Sequence, residues 1–314
     1  MIAADTTTIR PLHDHMVRRL PTARDLSARR PLSLTVRDEA ILAAIATHGL
    51  LTTELIELAF FRTPSDSHAH RGAPCSRAYH RLRQLWLWGF IERIELPVAR
   101  VLGGRRAFLY TLSERGHRHV AGQSESSVAL PEPRRLDRLD DRFMEHDLRI
   151  ARLWAHLQAL VRQGRFRACH WTPERDLHAR GIKVPDPKTG WSIPVLPDGY
   201  VELERADGSA WSAMVEIDMG TLTLGQFRRK VRAFQAFLAT SAIQRHEPRS
   251  RCYCLILTTS WLRLRNLWQA ARPEVVSEYW PCFQFATFDV LSPNRFVESD
   301  ALLTLDGDYI GLQP

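Results

Sequence analysis

Residues 122–136, Gly-Gln-Ser-Glu-Ser-Ser-Val-Ala-Leu-Pro-Glu-Pro-Arg-Arg-Leu, divide the chain. The stretch is small, polar and Pro-containing, so it offers no continuous apolar face and reads as a linker. A fold for this chain must therefore be two separate cores, one over residues 33–121 and one over 137–314. Residues 1–32 carry Pro11, Pro21 and Pro31 among scattered charges and read as a flexible arm. No internal repeat is present.

Charge is distributed unequally across that division. The chain carries a formal net charge of +8. Residues 1–122 contain 18 Arg and no Lys against 11 acidic residues, so +7 of that charge falls before the linker. A basic unit beside a near-neutral one is the electrostatic footprint of polyanion binding. Other classes are excluded. No stretch reaches the roughly 18 apolar residues that a membrane-spanning helix needs, and Asp5, Arg10, Asp14 and Arg18 interrupt any signal-peptide core. The five cysteines are odd in number and scattered, which fits neither a disulfide framework nor a zinc site. No phosphate-binding glycine loop and no Ser/His/Asp nucleophile motif appears. The expected setting is the cytoplasm.

The first unit reads as three helices and a hairpin. Thr35 with Asp38 forms a capping-box signature before Ile41, Leu42 and Ile45, and His48-Gly49 ends that helix. Thr52-Thr53 opens a second, short helix. Ser76 opens a third, in which Tyr79, Leu82, Leu85 and Trp86 make the apolar stripe and Arg77, His80, Arg81 and Arg83 lie mostly outside it. Gly89 stops it, and alternating residues 91–96 and 105–112 flank Gly103-Gly104 as a hairpin. This order resembles the winged helix-turn-helix of many bacterial regulators and replication proteins. The resemblance implies that Ser76, Arg77, His80, Arg81 and Arg83 face the major groove of double-stranded DNA. It also implies that Arg100, Arg105 and Arg106 at the wing meet phosphates or the minor groove.

In the second unit, a long amphipathic helix over 141–163 is followed by a strand near Phe166–Trp171. Apolar alternating runs follow at Ile193–Leu203 and Trp211–Met219, joined by an Asp207-Gly208 turn. A basic helix over Leu222–Leu238, a buried strand over Arg251–Thr259, a helix over Trp261–Ala271 and a strand over Phe283–Val290 complete the reading. The fold class expected is α+β or α/β, with a core order of αβββαβ. That order, with Pro197-Asp198-Gly199 on one strand and Glu216-Ile217-Asp218 on the next, resembles the PD-(D/E)XK restriction-endonuclease-like superfamily. The resemblance implies Mg²⁺ held by Asp198 and Glu216, with Asp218 and Glu145 as further carboxylates, since hard oxygen ligands suit that ion. The lysine of the superfamily pattern is absent two residues after Glu216, where Asp218 stands. Lys230, four residues after Gln226 and on the same helix face, is the candidate replacement, so Gln226 and Lys230 are the candidate catalytic pair. A site without that lysine is the alternative, the fold then serving binding or scaffolding.

Taken together, the winged helix, His146-Asp147-Leu148-Arg149-Ile150, Pro197-Asp198, Glu216-Ile217-Asp218-Met219-Gly220-Thr221 and Arg228-Arg229-Lys230 resemble the replication-relaxation family. Glu-x-Asp followed by Gly-Thr resembles that family's own pattern, which makes Asp218 part of it. The resemblance implies a double-stranded-DNA-binding protein of a plasmid or integrative element, acting in replication or mobilisation. Two other functions compete with it: a Mg²⁺-dependent endonuclease targeted by the winged helix, and a non-enzymatic adaptor docking a replication or transfer protein. A homodimer is a further expected partner state, although no dimerisation helix stands out.

Overall fold

The computed structural model describes residues 17–19, 21–22, 32–61, 76–95, 108–123, 141–240, 252–291, 295–298 and 300–312. The protein is an α+β chain of two compact units that part between Ala151 and Arg152.

In the first unit, α1 (Val36–His48) starts at Thr35, whose side chain and that of Asp38 satisfy each other's backbone N–H groups as a capping box. Gly49 ends it at φ 76°, a conformation open to glycine. Helix α2 (Thr53–Phe60) is capped by Thr52, and α3 (Ser76–Leu87) closes at Gly89 with φ 69°. Strands β3 (Ile91–Glu95) and β4 (Phe108–Leu112) pair antiparallel. β2 (Leu51–Thr52) joins β4, and α4 (Glu114–Gln123) follows. A Cβ on Gly116 in α4 would lie 1.9 Å from the Phe90 carbonyl oxygen, so that helix docks where only glycine fits. The arm contributes more than a flexible lead. Its residues Val17–Arg19 form β1, paired antiparallel with β3, with Val17 opposite Glu95. An outer ladder face on a hairpin accepts any short extended segment, which periodicity cannot reveal in three residues.

Helix α5 (Asp141–Arg162) is continuous, yet its first half belongs to the first unit: Met144 and Leu148 pack with Leu50, Ile94 and Leu109. The expected boundary at residue 137 is therefore displaced into the helix. Much of the linker lies outside the described residues.

The second unit is built on a seven-stranded sheet. Its strands are β5 (Ala168–Pro173), β8 (Gly199–Glu204), β9 (Ala210–Asp218), β10 (Cys252–Thr258), β11 (Phe283–Thr287), β12 (Leu302–Thr304) and β13 (Tyr309–Ile310). They are ordered β13-β12-β11-β10-β9-β8-β5 across the sheet. Pairing is parallel only for β9–β10 and β10–β11. Parallel neighbours require a crossover, and α7 (Leu224–Ala239) and α8 (Trp261–Ala271) supply the two. Phe227, Val231 and Phe234 of α7 are buried with Met214, Cys254 and Ile256. Each such phenylalanine contributes about 1.5–3 kcal/mol by leaving water. The expected single strand over 193–203 is two: β7 (Ser192–Pro194) pairs with β6 (Lys183–Pro185), and β8 begins after Asp198. A short helix, α6 (Glu174–Ala179), precedes that hairpin.

Candidate functional site

Three residues converge at the end of β9. Asp198 immediately precedes β8 and Glu216 lies near the end of β9, where the two strands run antiparallel with Gly199 opposite Val215. Both carboxylates are buried, Glu216 to 2% exposure. The Asp198 Oδ2 accepts the Ile217 backbone N–H at 2.6 Å, and the Asp198 N–H donates to the Val215 carbonyl at 2.9 Å, so backbone geometry fixes this side chain. Lys230 reaches down from α7 and forms an ion pair with Glu216. Burial pushes the Lys230 ammonium toward losing its proton. The Glu216 and Asp198 carboxylates, aided by a hydrogen bond to Glu216 and by the charge of Glu174, outweigh burial and raise its pKa. Lys230 thus remains a cation between acids. Glu174, at the start of α6, joins this field, although nothing in the sequence singled it out.

The residues on either side of Asp198 and Glu216 explain the local spelling. A Cβ on Gly199 would stand 2.4 Å from the Trp171 ring, so the residue after Asp198 has room only for hydrogen. Gly199→Ala should lower stability by about 1–3 kcal/mol through overpacking, read as a lower midpoint in thermal unfolding of the whole chain. An unchanged midpoint would show that Trp171 yields freely.

Three of the expected site residues are engaged elsewhere. Asp218, on the same face of β9 as Glu216, gives both oxygens to Arg263 at 2.8 Å and accepts the Thr258 hydroxyl at 2.9 Å. Asp218, expected among metal ligands, thus has both oxygens engaged by a guanidinium of fixed bidentate geometry. Gln226 is the capping-box partner of Thr223: its Oε1 accepts from the Thr223 N–H and hydroxyl, each at 2.9 Å. It is exposed at the helix start, where that capping bond engages it. Glu145 falls in the part of α5 that belongs to the first unit and pairs with Arg149 at 3.2 Å, one turn on.

Asp198 and Glu216 nonetheless suit a hydrated Mg²⁺. That ion takes one or two carboxylates and keeps several waters. Two buried hard-oxygen donors on neighbouring strands meet this need, whereas no group of three or more His, Cys, Asp or Glu able to hold a metal gathers among the described residues.

On the first unit, α3 presents Ser76, Arg77 and His80 to solvent, and Arg83 is half-buried. Arg77 lines a recess with Arg37, Val36 and Phe61. Arg81 behaves differently from its neighbours. Its Nε donates to the Asp38 Oδ1 at 2.6 Å and its Nη2 to the Ser33 carbonyl at 2.8 Å, tying α3 to the cap of α1. Burial opposes ionisation of Asp38, but hydrogen bonds from Arg81 and Thr35 overcome it and hold the carboxyl below its usual range. Arg81, expected among the base-reading residues, is engaged by Asp38 and by the Ser33 carbonyl. Arg100, Arg105 and Arg106 lie outside the described residues. Arg93 of β3 sits over the Trp86 ring at 3.8 Å and over the Phe108 ring at 4.5 Å, packing the strand pair onto α3.

The replication-relaxation family matches residues 42–249, which takes in most of α1, all of α2 to α7 and all three residues of the carboxylate–lysine cluster. The chain belongs to the replication-relaxation family. No curated protein and no solved structure matches it. Membership associates this replication-relaxation protein with replication or relaxation, and no helix among the described residues is long and apolar enough to cross a membrane.

Proposed function

We propose that this replication-relaxation protein binds double-stranded DNA of a plasmid or integrative element through its first unit and acts there in replication or mobilisation. The observation that carries the reading is α3: an exposed Arg77–His80 surface on the third helix, followed directly by an antiparallel strand pair, in the most basic part of the chain. That succession supports a winged helix whose third helix enters the major groove. Arg77 and His80 meet the DNA, while Arg81 sets the angle between α1 and α3. Replacing Arg77 and His80 together by Ala should weaken binding to duplex from the element's own flanking DNA by about tenfold or more. The log–log salt dependence should flatten by about 0.9 for each phosphate that is no longer neutralised. Fluorescence anisotropy over a salt series reads both. Unchanged affinity and slope would remove α3 as the DNA surface.

A specific observation favours a second activity, phosphodiester cleavage by the second unit. Lys230 stands against Glu216 although the sequence pattern lacks a lysine beside that glutamate, so the helix supplies the cation the strand omits. Asp198 and Glu216 would hold Mg²⁺, which when bound supplies Lewis-acid polarisation of the phosphate and a water of lowered pKa. The chain's own part is to fix the Asp198 carboxylate through the Ile217 N–H and to keep Lys230 protonated. The Lys230 ammonium, on the margin of solvent, orients an attacking water or offsets charge on a phosphate oxygen. Glu174 adds negative field at the same place. No docking surface for a replication partner is needed by this reading.

A further inference from the structure

The β6–β7 hairpin takes no part in the carboxylate cluster but runs straight into it, since Pro194 is followed by Val195-Leu196-Pro197-Asp198. Its two faces differ. Val184 and Ile193 are cross-strand partners and are buried in the same core as Met214, Phe227 and Val231. The opposite face, with Lys183, Pro185, Ser192 and Pro194, is exposed. The connecting turn is pinned. Arg232 of α7 donates to both oxygens of Asp186 at 2.8 and 3.0 Å, and the Asp186 N–H donates to the Trp191 carbonyl at 2.8 Å.

That pinning has an electrostatic result. Asp186 is the one acidic residue between Lys183 and Pro194, and it is held below the surface by Arg232, which also pairs with Glu274 at 2.9 Å. Lys183 and Lys188 remain outside, with no ion pair among the described residues. They are two of the chain's three lysines, the third being Lys230 of the site itself. Between them and Asp198 along the chain stands Trp191, 78% exposed, whose ring and indole N–H take no partner among the described residues. A tryptophan is ordinarily largely buried. Here a well-anchored turn presents one to water together with two unpaired cations.

A surface of this kind suits a polyanion that also offers flat apolar faces, which is nucleic acid with unpaired bases. Duplex fits less well, because exposing a base face to an indole requires unstacking a step. We propose that the β6–β7 hairpin is a single-stranded-DNA clamp, in which Trp191 stacks on an unpaired base and Lys183 and Lys188 hold the adjoining phosphates as the strand approaches Asp198, Glu216 and Lys230. The proposal rests on the reading that the second unit acts on DNA. It adds that the strand is melted, not paired, where it passes the site.

The test is anisotropy of the full chain with a short fluorescent single-stranded oligodeoxynucleotide and, in parallel, a blunt duplex. Trp191→Ala should weaken single-strand binding by about ten- to a hundredfold and leave duplex affinity and the thermal midpoint unchanged. Trp191→Phe should restore most of the loss. Lys183→Gln with Lys188→Gln should flatten the single-strand salt dependence by about 1.4 in slope. Equal losses on single strand and duplex would overturn stacking, and so would single-strand affinity that ignores Trp191→Ala. The Arg77, His80 double variant separates this from the first-unit reading. Duplex binding lost in that variant, with Trp191→Ala silent, overturns the clamp alone. Trp191-dependent single-strand binding in a chain that never binds duplex supports the clamp and removes the first-unit reading.

Discussion

Glu216→Gln should abolish metal-dependent nicking of supercoiled plasmid, a fall of at least about a hundredfold, while duplex affinity stays at the wild-type value. The substitution keeps size and hydrogen-bonding capacity but removes the charge that faces Lys230 and any bound Mg²⁺. Lys230→Met alone is a poorer probe. It leaves the 2% exposed Glu216 without its cation, and stranding one member of a buried pair costs about 3–5 kcal/mol. The double change, Glu216→Gln with Lys230→Met, keeps the interior neutral and should fold near the wild-type midpoint with the same loss of nicking. Plasmid carrying the element's flanking DNA would be incubated with Mg²⁺, with Mn²⁺ or with EDTA and resolved on one gel for retardation and for open circles. Retardation with no open circles under either metal would remove cleavage and leave binding standing.

The second large effect concerns Asp218. Asp218→Ala should destabilise the chain by about 3–5 kcal/mol, because it strands Arg263 and deprives the Thr258 hydroxyl of its acceptor inside the sheet. Denaturant unfolding followed by tryptophan fluorescence would show the midpoint move. Adding Arg263→Leu should recover much of that loss, since replacing both partners of a buried pair by apolar groups is often neutral. The same double variant separates strut from ligand. With Asp218 as a strut, nicking survives below the unfolding transition. Nicking lost in a well-folded double variant would return Asp218 to the metal.

Much of the fold was legible because its boundaries are written in caps and turns. Thr35 with Asp38, Gly49, Gly89, the Asp207-Gly208 turn and the helix Trp261–Ala271 all stand where local chemistry puts them. What escaped was short or non-local. Strands of three residues such as β1, β6, β7 and β12 carry too few alternations to register as a period. Asp198, Glu216 and Lys230 were singled out by resemblance to the PD-(D/E)XK pattern, and the adjacent strands and the following helix place them side by side. The partners of Arg81 and Asp218 were not legible, since Asp38 and Arg263 lie far away in sequence and any exposed-looking arginine in a helix reads as solvated. Gln226 misled for a related reason: a residue four before a lysine shares its face, but the capping demand of Thr223 claims it first. The division inside α5 is invisible to periodicity, which runs unbroken through Ala151.

The bond from the Ile217 N–H to the Asp198 carboxylate ties that side chain to the register of β8 and β9. Strand residues alternate between faces, so a slip of one position between β8 and β9 would turn Glu216 away from Lys230 and bury a charge against apolar packing. The wrong alignment would also separate Asp198 from its N–H partner. The arrangement that satisfies Asp198 is thus the one that brings Glu216 to Lys230, so strand alignment and cluster geometry are set by a single bond.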